Sequence, residues 1–300
     1  MRQLWKLWVP VGILLLVMAA VRAPEPTRDF DFGTFGQLPV LLDGRVQPLD
    51  TVARNSLLIL SSKSMPRVEH DGVVRKLVPS EWLAMMLFQP ELADEFPVIR
   101  IHSEAVKDML GLSLKRKDFT MAELHPHAGT IEAQADGARS LETQQRDAFQ
   151  RAIVELHGKL VLYLQLTHSI WIYDQDSVLG EWNTLLRHLA EPTANPALTE
   201  LFRNRYTRMS QIGLLRFVVD QNGDWRTIGQ TQLDTLVSRE WNPLVAAYLE
   251  TAQAYREGRT ADFDALVEGI VMATSYLTDH SKVALEQSYN RFNPLLRAMI

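Results

Sequence analysis

No cysteine occurs anywhere in the 300 residues. That excludes disulfides, thiolate metal sites and any thiol–disulfide chemistry by this chain. The sequence also contains no HExxH, GxSxG, Walker or GxGxxG pattern, so no familiar catalytic or nucleotide-binding loop can be read from spacing. Positive charge is scarce. The net charge is −5, and the first 22 residues hold Arg2, Lys6 and Arg22 with no acid. The remainder carries 28 bases against 36 acids, a net of −8. An acidic chain with no basic stripe in its sequence argues against nucleic acid as a partner. Glycine (15) and proline (14) are at ordinary levels and 46% of residues are apolar, which excludes fibrous and disordered classes and allows one large domain or two small ones.

Long apolar runs are absent but for one. Residues 7–21 are interrupted only by Pro10 and Gly12, follow Arg2 and Lys6, and have Trp5 and Trp8 where interfacial aromatics belong. Counted from Leu4, the span is near the lower limit for crossing ~30 Å of hydrocarbon at 1.5 Å per residue. It predicts a transmembrane anchor over 1–22, N-terminus inside, with the rest of the chain on the outer face of the cytoplasmic membrane. A cleaved signal peptide is the competing reading, although Pro24 would directly follow the cleavage point after Ala23.

Beyond the anchor, residues 23–37 read as a linker. Residues 38–290 read as a mainly helical domain with short β-hairpins, and 291–300 as a membrane-proximal end. The pattern predicts a strand, a turn at Asp43-Gly44 and a helix capped by Asp50 or Thr51. A hairpin over 64–79 turns at Asp71-Gly72, and Ser80 caps a helix that stops before Pro90. Residues 96–101 alternate like a strand. Ser103 caps a helix ended by Gly111, and 113–138 read as irregular. One long helix is expected over 140–173, further helical turns over 183–189 and 198–206, and a hairpin over 214–228 with its turn at 220–223. Another helix is expected from Thr231. The clearest element is an antiparallel helix pair, 242–257 and 261–289, with Gly258 between them.

Candidate metal ligands are few. His125 and His127 lie two apart, but no third ligand is near in sequence, and an exposed loop is the simpler reading. His157 and His168 share a helix face within about 20° but stand ~16 Å apart along the axis, too far for one ion; either could ligate haem iron alone, and a packed or surface histidine is the simpler reading. The pairs Asp29/Asp31, Asp174/Asp176 and Asp262/Asp264 read as solvated turns or helix starts. Trp82, Met85, Met86 and Phe88 read as core.

Three stretches form a set: residues 38–54, containing Gly44-Arg45-Val46-Gln47-Pro48-Leu49-Asp50-Thr51; residues 82–112, containing Gln89-Pro90-Glu91 and Pro97-Val98-Ile99-Arg100-Ile101-His102; and residues 282–294, containing Glu286-Gln287-Ser288-Tyr289-Asn290. Together they resemble the outer-face domain preceding the polytopic part of the larger CcsA-type (ResC-like) cytochrome c assembly proteins of system II. There Gly-Arg-x-x-Pro-Leu-Asp-Thr opens the domain, and Glu-x-x-Tyr-Asn leads into the next membrane helix. The resemblance covers roughly residues 35–297. In that family a tryptophan-rich loop and histidines among later membrane helices present haem. Trp171, Trp182, Trp225 and Trp241 form no such run here.

The resemblance therefore implies a non-enzymatic accessory half acting beside a separately encoded polytopic CcsA-type partner and other cytochrome c assembly components. A truncated reading frame is the other version. No cofactor is assigned to this chain, and haem enters only through the partner. Gly44, Arg45, Pro48, Asp50, Thr51, Glu286, Tyr289 and Asn290 are the expected motif residues, in docking or in structure. The rival expectation is a general envelope adaptor that binds proteins through its helix pair.

Overall fold

The computed structural model describes residues 30–275, apart from 71, 172–177, 192–194 and 221. The expected anchor over 1–22 and the motif residues Glu286, Tyr289 and Asn290 lie outside the described residues, as do Asp29, Asp174 and Asp176. Among the described residues no helix is long and apolar enough to cross a membrane. The fold is mainly helical with short antiparallel strand pairs, as expected.

The described residues open with α1 (Phe32–Phe35), then the hairpin β1 (Pro39–Leu42) and β2 (Arg45–Pro48), then α2 (Leu49–Ser61). A second hairpin, β3 (Arg67–His70) and β4 (Val73–Lys76), leads into α3 (Pro79–Phe88) and α4 (Pro90–Ala93). Next come β5 (Ile99–Arg100), α5 (Glu104–Met109), β6 (Asp118–Phe119), α6 (Met121–Leu124) and α7 (Ala128–Arg139). The long helix α8 (Ala148–Thr167) precedes α9 (Val178–Ala190) and α10 (Pro196–Ile212). The last elements are β7 (Val218–Val219), β8 (Trp225–Arg226), α11 (Ile228–Ser238), α12 (Pro243–Arg256) and α13 (Thr260–Thr274).

Neighbours in sequence are mostly neighbours in space. The helices pack as α2 on α3, α7 on α8, α10 on α11 and α12 on α13. β1 also exchanges backbone hydrogen bonds with Arg216, through Leu41 N–H at 3.0 Å and Arg216 N–H at 3.3 Å, which ties the two halves together. One buried cluster runs from Phe32 to Ile270.

Several local expectations are corrected. Residues 30–37 are not linker: Phe32 and Phe35 are buried, and Asp31 caps α1 through Thr34 N–H. Apolar aromatics outweigh the glycines around them. Phe30 packs on Phe263 at 5.0 Å and on Tyr255 at 5.1 Å, while the Asp31 amide donates to Asp264 Oδ1 at 2.8 Å. The first described residues are thus fastened to the last helix pair.

Residues 113–138 are not irregular. Thr120 forms a capping box with Glu123, and α7 buries Ile131, Ala135 and Ala138, a stripe too thin to stand out in sequence. The long helix is shorter than expected. Asp147 and Gln150 form its capping box, and it ends at Thr167. Ser80 is not an N-cap, because Pro79 already occupies the first position of α3. Neither Asp50 nor Thr51 caps α2; Pro48 precedes it, and both follow inside its first turn. The helix expected from Thr231 starts at Ile228, capped by Thr227 with Gln230.

Candidate docking groove

The helix pair is built by local signals. Asn242 accepts from Leu244 N–H at 2.9 Å at the start of α12, with Pro243 at its first position. Gly258, at φ 69°, ends it and turns the chain into α13. The facing sides of the two helices do not close fully. Ala265, Gly269 and Ala273 recur every four residues on α13, so one side of that helix carries almost no side-chain bulk. With Leu244 and Ala247 of α12 and Val218 and Val219 of β7, they line an apolar groove of about 400 Å³.

A second hollow, about 480 Å³, adjoins the first across Val219, Asn242 and Pro243. Its walls are polar: Asp220, Asp234 and Glu240 against Arg226, three carboxylates to one guanidinium. Arg226 Nε bonds Asp220 Oδ2 at 2.9 Å. The backbone amide of Asp224, joined by Arg226, holds the Asp220 carboxyl below the usual carboxylate range, so that acid stays ionised. Trp241 stands on this rim half exposed (51%), edge-on to Trp182 at 6.4 Å. Met272 on α13 and Val237 on α11 are also exposed. Apolar floor, acidic rim and an exposed tryptophan are the features of a surface that receives an amphipathic helix. Few polar groups converge in the apolar groove itself.

The motif residues divide. Asp43 and Gly44, at φ 51° and 75°, form the tight turn of the first hairpin, and Gly44 meets the demand for a left-handed backbone at no steric cost. Arg45 is exposed beside that turn. Pro48, Asp50 and Thr51 are buried. Asp50 receives Arg54 Nε at 2.7 Å and the Ser80 hydroxyl at 3.1 Å, and its amide donates to Gly36 O at 2.9 Å. It therefore joins α1, α2 and α3 from inside.

The histidines do not converge on a metal. Among the described residues no group of three His, Asp or Glu side chains could hold one. His125 is exposed in a turn, and His157 Nδ1 lies 2.6 Å from Arg139 Nη2. His168 ends α8 with Nδ1 2.8 Å from Leu164 O. Asp262 pairs with Arg259. Trp82, Met85, Met86 and Phe88 are core, as expected.

Sequence reading identified the helix pair but missed the groove on it. Its visible signal was the four-residue spacing of Ala265, Gly269 and Ala273. No family model matches the chain, and no curated protein matches it.

Proposed function

We propose that this chain is an accessory subunit of cytochrome c maturation, anchored by residues 1–22 with its domain on the outer face, that docks a separately encoded polytopic partner. It acts by binding, not catalysis. The observation that carries the docking role is the apolar groove between α12 and α13 with its acidic rim. The occupant is an amphipathic helix of the partner, apolar or small-faced toward Gly269 and basic at the end that meets Asp220, Asp234 and Glu240. The maturation role rests on the resemblance of the three motif stretches. A tether at the bilayer raises the effective concentration of the groove near a membrane partner.

The test is purification of the tagged full-length protein from its own membranes, with Gly269→Trp as the blocking variant. A Cβ added at Gly269 meets no atom within 4 Å, so the groove wall has room there for a side chain to begin, and the tryptophan is placed to block the groove. Wild type should bring down a polytopic partner, and the variant should be recovered at the same level without it. Covalent c-type haem should disappear in a deletion strain. The groove equally favours an envelope adaptor unconnected with haem; normal c-type haem on deletion would select that reading and sink the maturation role.

A further inference from the structure

The chain is acidic overall, yet the fold gathers cations at one place. In the second hairpin Arg67 pairs in register with Lys76, and Glu69 with Val74, so these four residues share one face of the ribbon. A concavity of about 490 Å³ brings Arg67 and Glu69 together with Arg116, Lys117 and Asp118, from a loop some fifty residues further along. That loop reads Lys115-Arg116-Lys117 and is held in shape from beneath by the buried Lys107, whose ammonium donates to Leu114 O at 2.8 Å and Arg116 O at 3.2 Å. Arg75, Arg100 and Arg116 are neutralised by Glu81, Asp118 and Glu123. Arg67, Lys76, Lys115 and Lys117 are exposed and form no ion pair among the described residues. Glu69 and Asp71 are the only acids within the hairpin sequence.

The same surface exposes aliphatic side chains. Val73 is 61% exposed and Val74 63%, on opposite faces of the ribbon just after the Gly72 turn, and Leu114 is 50% exposed next to Lys115. Val74 stands opposite Glu69, and the pair of Arg67 and Lys76 lies one step further from the turn on the same face. Exposed branched aliphatics at a hairpin tip with cations behind them are unfavourable in water and favourable at a lipid interface. There the apolar tip enters the acyl boundary and the cations meet phosphates. Nucleic acid would use the cations but leave the valines in water.

We infer that the β3–β4 hairpin tip and the 114–117 loop form a contact surface for an anionic bilayer. Val73, Val74 and Leu114 insert, while Arg67, Lys76, Lys115 and Lys117 bind lipid phosphates. This surface is separate from the α12–α13 groove and holds whether or not the groove receives a cytochrome-assembly partner.

The absence of native cysteine makes the test direct. Val74→Cys, or Val73→Cys should the first not fold, is labelled with an environment-sensitive fluorophore in the full-length chain. The protein is reconstituted into vesicles of phosphatidylcholine alone or mixed with phosphatidylglycerol. Glu200→Cys, on an exposed face of α10, serves as the reference position. The hairpin label should shift to the blue and be quenched by spin-labelled lipid only when phosphatidylglycerol is present, and the reference label should do neither. Arg67→Gln, Lys76→Gln and Lys117→Gln should each lower the inserted-to-free ratio about fivefold, and added salt should lower it further. An unquenched label in folded protein would overturn the inference, and so would equal insertion into neutral vesicles. A label that responds to duplex DNA and not to phosphatidylglycerol would reassign the surface to nucleic acid.

Discussion

Glu181 on α9 and Arg205 on α10 form an ion pair of 2.7 Å with only 8% and 10% of their side chains exposed. The Tyr206 hydroxyl also bonds Glu181; burial first, and then the adjacent carboxylate, push that phenol far above its ordinary range. Replacing one partner leaves the other charged in a site closed to water. Glu181→Ala should cost roughly 3–5 kcal/mol, read as a fall in the urea midpoint at constant slope. The double variant Glu181→Leu, Arg205→Met should recover most of that loss. A double variant no more stable than the single one would show that the pair is itself a net stabiliser.

Asp50 predicts a similar response for a residue first singled out as a motif. Its partner Arg54 is 13% exposed and Asp50 itself 6%. Asp50→Ala should destabilise by about 3 kcal/mol, whereas Asp50→Asn keeps an acceptor for Ser80 and should cost less. Thermal unfolding of both variants checks the order. Arg45, exposed beside the Gly44 turn, should behave differently. Arg45→Ala should leave stability within about 0.5 kcal/mol. If the hairpin contributes to docking, c-type haem staining should fall while the protein level holds; unchanged staining would confine docking to the groove.

Gly229 sits where α11 meets α10 almost backbone to backbone. A Cβ there would stand 2.5 Å from the Ser210 amide nitrogen and 2.7 Å from Met209 Cβ. Backbone cannot swing aside as a long side chain can. Gly229→Ala should therefore cost about 1–3 kcal/mol through overpacking. Gly269→Ala, with open space around it in mid-helix, should instead stabilise by about 0.5–1 kcal/mol in the same melting assay.

Asp94 accepts the Tyr163 hydroxyl at 2.8 Å, and burial raises its carboxyl above the ordinary value of 3.8 despite that bond. The folded state thus holds this proton more tightly than the unfolded chain does. Its contribution to stability is complete below pH 3.8 and is lost as pH rises through the folded value. Asp94→Asn keeps an oxygen for Tyr163 and carries no charge to desolvate. At neutral pH it should be at least as stable as the parent, and it should lack the parent's decline across that window. Melting temperatures of the two proteins from acid to neutral pH decide the matter.

Turn chemistry and caps were legible in the sequence because their causes are local. Asp43-Gly44, Gly72 after the β3 strand, Ser103 before α5 and Gly258 after α12 each perform the expected task. Helix starts slipped where a stronger cap lay just outside the apolar pattern, as with Thr227 and Asp147. What escaped was everything made by long-range assembly. Arg67 and Lys117 share a concavity only because the fold brings the β3–β4 hairpin beside the loop leading into β6. Trp182 and Trp241 meet only because α9 packs on α12. The acid excess of the whole chain concealed both the local basic surface and its exposed valines.

The clasp between Asp31 and Asp264 spans 233 residues of sequence. A ribosome adds roughly 5–20 residues per second, so Phe30, Phe32 and Phe35 leave it roughly 10–50 s before Phe263 exists to receive them. Through that interval three aromatic side chains have no native partner on α13, and residues made early are among the last to settle. This clasp closes only when α13 is complete. A chain cut short before α13 should therefore present these rings to chaperones and proteases, not fold into a smaller version of itself.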